Sequence, residues 1–299
     1  MRDRLEQAHP GLEVAIDIIH TTGDKITDVP LSKIGDKGLF TKELDRALLD
    51  RRVDFAVHSL KDVPTKVESG LVLAAVSKRE DPSDALVAAP GVSGTLRALP
   101  GGSRIGTSSL RRRAQLLALR PDLEVHDLRG NLDTRLAAVH AGKYDAIILA
   151  LAGMKRLGRA DEATEVLDVA AWLPAVGQGA LGIVCRSGDT AVLETLRVLD
   201  DADSNVATTA ERALLRELEG GCQIPIAALA VVDGDMLQLR ALVAAIDGTR
   251  IVRGERSGRI ADAARVGTEL ARDLLERGAA AILAELRAAQ QPVPQPPAP

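Results

Sequence analysis

Aromatic side chains are scarce in this 299-residue chain, which has two Phe, one Tyr and one Trp. Proteins that bind single-stranded nucleic acids usually stack the bases on aromatic side chains. The formal charge of -4 also leaves no excess of basic residues for a phosphate backbone. The composition therefore argues against a nucleic-acid partner, and hydrophobic cores must be built from Ala, Val, Leu and Ile.

Cysteine is equally scarce, and Cys185 and Cys222 are far apart in the sequence. They suggest neither a disulfide framework nor a Cys-rich metal site, so we expect no metal and a reducing, cytoplasmic setting. No apolar run approaches the length of a transmembrane helix, and the charged opening, MRDRLEQAHPG, lacks the apolar core of a signal peptide. We therefore expect neither export nor a membrane partner.

The first half of the chain alternates strand and helix patterns. Residues 12–18 and 53–58 have the period of a strand, and residues 42–51 between them are helical with Thr41 as a candidate N-cap. A second series follows the Pro- and Gly-rich residues 89–102, with strands at 104–106, 123–128 and 146–151 and helices at 109–119 and 132–141. Apolar strands joined by helices predict an α/β fold with parallel sheets covered on both faces.

The last third has a different pattern. Strands at 227–232, 236–246 and 250–258 are separated by Asp-Gly turns, and a helix at about 261–277 follows them. This order predicts a small α+β domain. Residues 290–299 are too rich in proline to join a core, and we expect them to form an extended tail without a function of its own.

Cys222 lies in a glycine-rich segment, LEGGCQIPI, between a predicted helix and a predicted strand. Ser204 is a candidate N-cap for that helix, and Gly220 and Gly221 supply a C-terminal stop. A thiol presented on such a loop can carry a covalently bound group. The alternative is a small buried hydrophobic residue, which is the commoner state of an unpaired cysteine.

Polar residues also follow the predicted strand at 53–58, in the motif HSLKDVP. Ligands of open α/β sheets bind beyond the carboxyl ends of the strands, so Asp62 is placed to face a cleft. Its carboxylate could bind N–H groups or exchange protons, and Lys61 could bind an anionic substituent. A solvated loop is the alternative for this pair. His58 could act as a base, but we favour a core histidine.

Basic residues recur at the ends of the next predicted strands. In GTSSLRRR, the side chains of Arg111 and Arg112 converge with free backbone N–H groups at the start of a helix, and Thr107, Ser108 and Ser109 add hydroxyls. This combination suits a carboxylate or a phosphate. The motif therefore predicts an anion site.

The motif LRGNLDTR repeats this design with Arg129 and Arg135, and Lys155 and Arg156 follow the third strand. Three basic pairs at successive strand ends predict a ligand with several negative charges. Lys33 and Lys37 lie in a glycine-containing loop that could act as a lid. The sequence has no Walker or GxGxxG motif, so a nucleotide is not the obvious anion.

Six motifs in this order resemble the porphobilinogen deaminase family, and the resemblance extends to about residue 287. The motifs are HSLKDVP, GTSSLRRRAQL, LRGNLDTRL, YDAIILALAGMKRLG, LPAVGQGALGIVCR and LEGGCQIPIAA. The resemblance implies two α/β domains similar to type II periplasmic binding proteins and a third, α+β domain that carries the cysteine. We expect residues 1–80 and 178–200 to form the first domain, 81–177 the second, 201–288 the third, and 289–299 a disordered tail.

The family resemblance also implies a function. The family's cysteine, here Cys222, holds a dipyrromethane cofactor through a thioether. Four porphobilinogen molecules are joined head to tail with loss of ammonia, and water then releases hydroxymethylbilane. The family's catalytic aspartate corresponds to Asp62, which would stabilise the cation left when ammonia departs. The resemblance points to a cytoplasmic monomer, with Cys185 in the core.

The remaining site residues are assigned by their match to the family motifs. The resemblance implies cofactor binding by Cys222, Lys61, Asp62, Thr107, Ser108, Ser109, Arg111, Arg112, Arg129 and Gly130. It implies substrate binding by Arg135, Arg156, Gln178, Lys33 and Lys37. Acetate and propionate groups on each pyrrole explain why so many basic side chains are needed.

One departure from the family pattern concerns the start of the chain. Family members usually open with a strand of the type R-I-G-T-R-x-S-x-L-A, and this sequence begins within the helix that follows it. We therefore expect a start codon assigned too far downstream, or else a short form with poor stability and weak turnover. A ligand-binding module of periplasmic-binding-protein type is the alternative function, and an inactive truncated relative is the third.

Overall fold

The computed structural model describes residues 1–21, 41–218 and 224–290. The helices are α1 (Arg2–Ala8), α2 (Lys42–Leu49), α3 (Leu110–Leu119), α4 (Leu132–His140), α5 (Leu151–Arg156), α6 (Thr190–Leu196), α7 (Ala202–Glu217), α8 (Ala263–Leu274) and α9 (Ala280–Gln290). The strands are β1 (Phe55–Ser59), β2 (Leu71–Val76), β3 (Asp84–Ala88), β4 (Arg104–Gly106), β5 (Glu124–His126), β6 (Ala146–Ala150), β7 (Glu165–Val166), β8 (Leu181–Arg186), β9 (Ile226–Asp233), β10 (Met236–Ala244) and β11 (Ile251–Arg259). They form three sheets in the described parts of the chain.

The first sheet has the order β1-β8-β2, and both of its pairings are antiparallel. The expectation of a purely parallel sheet is wrong here, because the central strand β8 returns from the second sheet and runs against both neighbours. Leu48 of α2, Leu60 and Val184 are fully buried on one face of the sheet. The carboxyl end of β1 leads directly into residues 60–62, which contain Lys61 and Asp62.

Residues 12–18 do not form the predicted strand, although their side chains alternate as expected. No ladder partner pairs with this segment among the described residues, and Ile16 and Ile18 are 69% and 76% exposed. An alternating pattern becomes a strand only when a neighbour accepts its backbone hydrogen bonds. The prediction failed because sequence periodicity does not supply that neighbour.

The second sheet has the order β5-β4-β6-β3-β7. Strands β4, β5 and β6 are parallel as predicted, whereas β3 pairs antiparallel with both β6 and β7. Strand β3 enters from the first sheet and therefore runs against the βα units. The helix predicted at 109–119 is confirmed as α3, with the Ser109 side chain accepting from the Arg112 N–H as an N-cap.

The third sheet is an antiparallel meander, β11-β10-β9, with left-handed glycines at both turns (Gly234, φ +56°; Gly248, φ +73°). Helices α7 and α8 share a core with this sheet, so the predicted α+β part is confirmed. Helix α7 begins three residues earlier than predicted. Asp201 is its N-cap and accepts from the backbone N–H of Ser204, which lies inside the helix.

The third sheet is fixed against helix α3. Leu229 and Leu242 of the sheet pack with Ala114 of α3 and Leu173 in one buried cluster. At Gly248 a Cβ would lie 2.4 Å from the backbone nitrogen of Ala118, so only glycine allows the turn to approach this closely. Because Arg111 and Arg112 lie at the start of α3, this contact joins the third sheet to the predicted anion site.

In the parts of the chain that the structure describes, no helix combines the length and the apolar character needed to cross a membrane.

Candidate active site

Asp62 lies at the end of a single 3-10 turn, Leu60–Asp62, that follows β1. The backbone N–H of Val63 donates to the carbonyl of Leu60 (3.1 Å), and the N–H of Leu60 donates to the carbonyl of Ala180 beside β8 (3.0 Å). Val63 is buried in the core of the first sheet. We call residues 60–65 the Asp62 turn. Its backbone is fixed on both sides, so the two polar side chains project from a rigid support.

Burial raises the pKa of the Asp62 carboxyl above its ordinary value, and the charges of Lys61 and Arg135 oppose this rise. Burial likewise lowers the pKa of Lys61, with Asp62 opposing and Arg112 reinforcing the change. These couplings join the Asp62 turn electrostatically to residues of the second sheet. A carboxyl whose pKa is raised next to cationic side chains is a typical feature of catalytic sites.

The hydroxyl residues before α3 are largely occupied by bonds within the protein. Thr107 Oγ1 accepts from the N–H of Ser109 (3.2 Å), and Ser109 caps the helix. Ser108 Oγ donates to the carbonyl of Leu128 and accepts from its N–H, both at 3.0 Å. These bonds hold the ends of β4 and β5 together, and with them the two predicted basic motifs.

A buried carboxylate, Asp84, anchors both arginines of α3. Arg111 Nη1 donates to Asp84 Oδ2 and Arg112 Nη2 to Asp84 Oδ1, each at 2.7 Å. Trp172 Nε1 and Gln178 Nε2 also donate to this carboxylate, each at 2.8 Å. The two arginines hold the pKa of Asp84 far below its ordinary value despite its complete burial. Two guanidinium groups around one carboxylate leave the cluster with a net positive charge.

Arg135 and Gly130 lie where β5 leads into α4. Asn131 caps α4 by accepting from the N–H of Thr134 (2.9 Å), and Arg135 Nε donates to the carbonyl of Gly130 (2.8 Å). Gly130 has φ +104°, and a Cβ there would lie 2.8 Å from the Thr134 side chain. Burial lowers the pKa of Arg135 to about 10, reinforced by the charges of Arg112 and Arg129 and opposed by Asp62. The turn therefore places Arg135 within electrostatic range of Arg112, Arg129 and Asp62.

A small cleft between the first and second sheets contains Lys61, Gly153, Arg156 and Gln178 in its lining. Arg156 Nη2 donates to the carbonyl of Gly179, and burial lowers the pKa of Arg156. Gln178 is almost fully buried, and its Nε2 atom donates hydrogen bonds to the Asp84 carboxylate and to the carbonyl of Pro82. The structure thus brings Arg156 to the cleft and uses Gln178 to join the segments between the sheets.

Two buried polar atoms of these site residues have no partner among the described residues: Arg112 Nε, a donor, and Gln178 Oε1, an acceptor. Buried polar groups are rarely left unpaired, so each indicates a position where a ligand or water completes the bonding. The Arg112 Nε donor and the surrounding cations suit an anionic group, whereas Gln178 Oε1 needs a donor. The described residues contain no cluster of three His, Cys, Asp or Glu side chains that could hold a metal.

Several residues that the sequence analysis singled out do not belong to the site geometry described above. Cys222, Lys33 and Lys37 lie outside the described residues, so their predicted roles stay predictions. Cys185 is fully buried in the core, as expected. His58 is also buried, and burial lowers its pKa, but its Nε2 atom has no partner among the described residues. The favoured core position is therefore confirmed.

Sequence reasoning missed two buried carboxylates that bond to the segments connecting the sheets. Asp84 opens the otherwise apolar β3, and that isolated acid in an apolar strand was a usable signal. Glu211 of α7 pairs with Arg79 (2.5 Å) and accepts from the N–H groups of Gly177 (2.7 Å) and Ala230 (2.8 Å). Its position within an ordinary helical pattern gave no comparable signal. One carboxylate thereby joins both connecting segments to the third sheet.

Comparisons with known proteins agree with the motif resemblance. The family model described as "Porphobilinogen deaminase, dipyromethane cofactor binding domain" matches residues 1–194, and "Porphobilinogen deaminase, C-terminal domain" matches residues 206–276. The porphobilinogen deaminase of Roseiflexus castenholzii is 53% identical, over 95% of this chain and 93% of the relative. That of Syntrophotalea carbinolica is 51% identical, over 96% and 90%.

A comparison of structures finds a similarity to a periplasmic binding protein of Salmonella typhimurium. The similar region covers 54% of this chain and 71% of that protein. The TM-score is 0.34 and the sequence identity 17%.

Proposed function

The chain belongs to the porphobilinogen deaminase family, and we propose that it joins porphobilinogen units in the cleft around Asp62. It is a transferase of tetrapyrrole biosynthesis with a dipyrromethane cofactor. Its reaction joins four porphobilinogen molecules head to tail on the cofactor, releases ammonia at each step, and ends with hydrolytic release of hydroxymethylbilane.

One observation carries the assignment of the site. Burial raises the pKa of Asp62, and the charges of Lys61 beside the first sheet and Arg135 beside the second oppose this rise. A carboxylate under the influence of two cations can bind a substrate that has both a cationic reacting end and carboxylate substituents. Porphobilinogen is such a substrate, with an aminomethyl group at one end and acetate and propionate groups on its ring.

Asp62 acts where positive charge develops. Loss of ammonia from the aminomethyl carbon leaves an electron-poor pyrrole, and the ionised carboxylate stabilises this charge through the pyrrole N–H. The rigid turn and the partial exclusion of water strengthen that interaction. Because burial raises the pKa of Asp62, its carboxyl is also suited to exchange a proton with the departing amine.

The basic residues bind the carboxylates that accumulate as the chain grows. Arg111 and Arg112 are fixed by Asp84, whereas Arg135 and Arg156 are held by single backbone carbonyls. Guanidinium groups suit this task because they stay charged when buried and bind carboxylates through two parallel hydrogen bonds. We assign Lys61, Arg129 and the hydroxyl residues 107–109 to the cofactor, and Arg135, Arg156 and Gln178 to the substrate.

Cys222 is the residue we assign to covalent attachment of the cofactor. When bound, dipyrromethane supplies the pyrrole carbon to which the first substrate unit is joined. The unpaired Arg112 Nε and the net positive charge around Asp84 fit its carboxylate groups. Lys33 and Lys37 complete the proposed substrate residues.

We further propose the three-domain division given by the motifs, with residues 1–80 and 178–200, 81–177 and 201–288 as units. The separate cores of the three sheets support this division. We propose a cytoplasmic monomer without a nucleic-acid partner, in keeping with the few cysteines and the net charge of -4.

Intact-mass measurement tests the attachment. The native protein should exceed its sequence mass by one dipyrromethane, and Cys222→Ser should abolish the excess. Cys185→Ser is the matched control, because this buried cysteine should leave the excess unchanged. A native protein that forms hydroxymethylbilane without the added mass, or a Cys222→Ser variant that retains it, would contradict the assignment.

A further inference from the structure

Arg212 connects the helix that precedes Cys222 with the Asp62 turn. It lies in α7 and is only 8% exposed. Its Nη1 donates to the carbonyl of Val63 (2.9 Å) and its Nη2 to the carbonyl of Pro64 (2.7 Å). These carbonyls belong to the two residues that follow Asp62. A single guanidinium therefore spans from α7 to the backbone next to the proposed catalytic carboxylate.

The charge of Arg212 is not balanced by a carboxylate within residues 1–21, 41–218 and 224–290. Burial lowers its pKa to about 10, and Arg216 adds a smaller repulsion. Burying an ion is costly, and two neutral carbonyls compensate for it less well than a carboxylate does. Packing alone would be served better by a neutral side chain. The position therefore makes use of the planar guanidinium group, whose two terminal nitrogens can donate to two carbonyls at once.

We infer that Arg212 is a positioning residue, which fixes the Asp62 carboxylate relative to the helix leading to Cys222 by holding the carbonyls of Val63 and Pro64. This inference rests on the proposed function of Asp62. Misplacing a reacting group by about 1 Å can lower turnover about 100-fold. The bond from Leu60 to Ala180 restrains the turn from the first sheet, and Arg212 is its buried restraint from α7.

The chain offers a matched control in Arg216, one turn further along α7. Its Nη2 donates to the carbonyl of Thr65 (2.7 Å), but the side chain is exposed. An exposed hydrogen bond contributes little, because water replaces it when it is lost. Arg216→Gln should therefore keep kcat within about twofold of the wild type.

The test compares wild type, Arg212→Lys, Arg212→Gln and Arg216→Gln, each purified with its attached cofactor as quantified by intact mass. Arg212→Lys keeps the charge but cannot donate to both carbonyls in the geometry of a guanidinium group. We expect its kcat to fall about 10- to 100-fold with KM nearly unchanged. Arg212→Gln should lose at least as much. The acid limb of the kcat profile of Arg212→Lys should move to lower pH, since a loosened turn admits water and relaxes the raised pKa of Asp62.

Rates are expressed per folded, cofactor-loaded molecule, so that loss of stability alone cannot imitate the effect. A kcat and a pH profile equal to those of the wild type in Arg212→Lys would overturn the inference. It would also be overturned if the two Arg212 variants folded without the cofactor, or if neither of them folded. Failure of the proposed function would look different, because the wild type itself would then form no hydroxymethylbilane.

Discussion

Replacing Asp84 by asparagine should strongly destabilise the protein. The carboxylate is fully buried, and the side chains of its partners Arg111 and Arg112 are only 5% and 6% exposed. Removing one member of a buried ion pair typically costs about 3 to 5 kcal/mol, because the remaining charge is left uncompensated. Here two guanidinium groups would lose their counter-ion together. At about 2 °C per kcal/mol for a chain of this size, the unfolding temperature should fall by about 6 to 10 °C.

The chain carries its own reporter for this experiment. Trp172 is the one tryptophan in the sequence, is 5% exposed, and donates its indole N–H to Asp84 (2.8 Å). Its emission should move to longer wavelength in Asp84→Asn and should follow the same unfolding transition as circular dichroism. Asp145→Asn is the matched control, because its ion pair with Arg104 (3.0 Å) is partly exposed and is screened by solvent.

The pH dependence of this effect follows from linkage. The folded-state pKa of Asp84 lies below its unfolded value of 3.8, so its contribution to stability is complete above that value and is lost as pH falls. The difference between wild type and Asp84→Asn should therefore be constant between about pH 5 and 8. An unfolding temperature within about 2 °C of the wild type, or no greater loss than in Asp145→Asn, would refute the reasoning.

Two further predictions concern Arg135 and Gly130, at the turn that leads into α4. Arg135→Gln removes a cation that lowers the pKa of Asp62, so the acid limb of the kcat profile should move to higher pH, and an unmoved or lowered limb would argue against contact between these side chains. Gly130→Ala should cost about 1 to 3 kcal/mol by urea unfolding and reduce kcat/KM, because of the positive φ and the close Thr134 side chain. Gly142→Ala, with φ +69° and no neighbour within 4 Å, should cost less and leave kcat/KM unchanged, and equal losses in both variants would contradict this account.

Much of the site scaffold could be predicted because its signals are local. The period of the strands, the Ser109 N-cap and the left-handed glycines of the third sheet depend on residues close together in the chain. Each basic motif follows the carboxyl end of a strand, and these ends meet at the edge of the sheet where ligands bind. That is why Asp62, Arg112 and Arg135 could be named as candidates without knowledge of the packing.

The failures have a common physical cause, which is dependence on distant partners. Residues 12–18 needed a ladder neighbour, and the direction of β3 and β8 depends on how the chain crosses between the sheets. Asp84 and Arg212 bond to groups 27 and 149 positions away. Neither partner can be read from local spacing, so the residues that fix the site were harder to predict than those that line it.

The central claim is that Asp62, next to the cleft residue Lys61, drives chain growth on Cys222. It is tested most directly by time-resolved intact mass of the cofactor-loaded wild type and Asp62→Asn after mixing with porphobilinogen. The wild type should gain mass in successive pyrrole units, and Asp62→Asn should retain its starting mass over many wild-type turnovers. Extension of Asp62→Asn at the wild-type rate, or product formation by the wild type without any mass added at Cys222, would contradict the account.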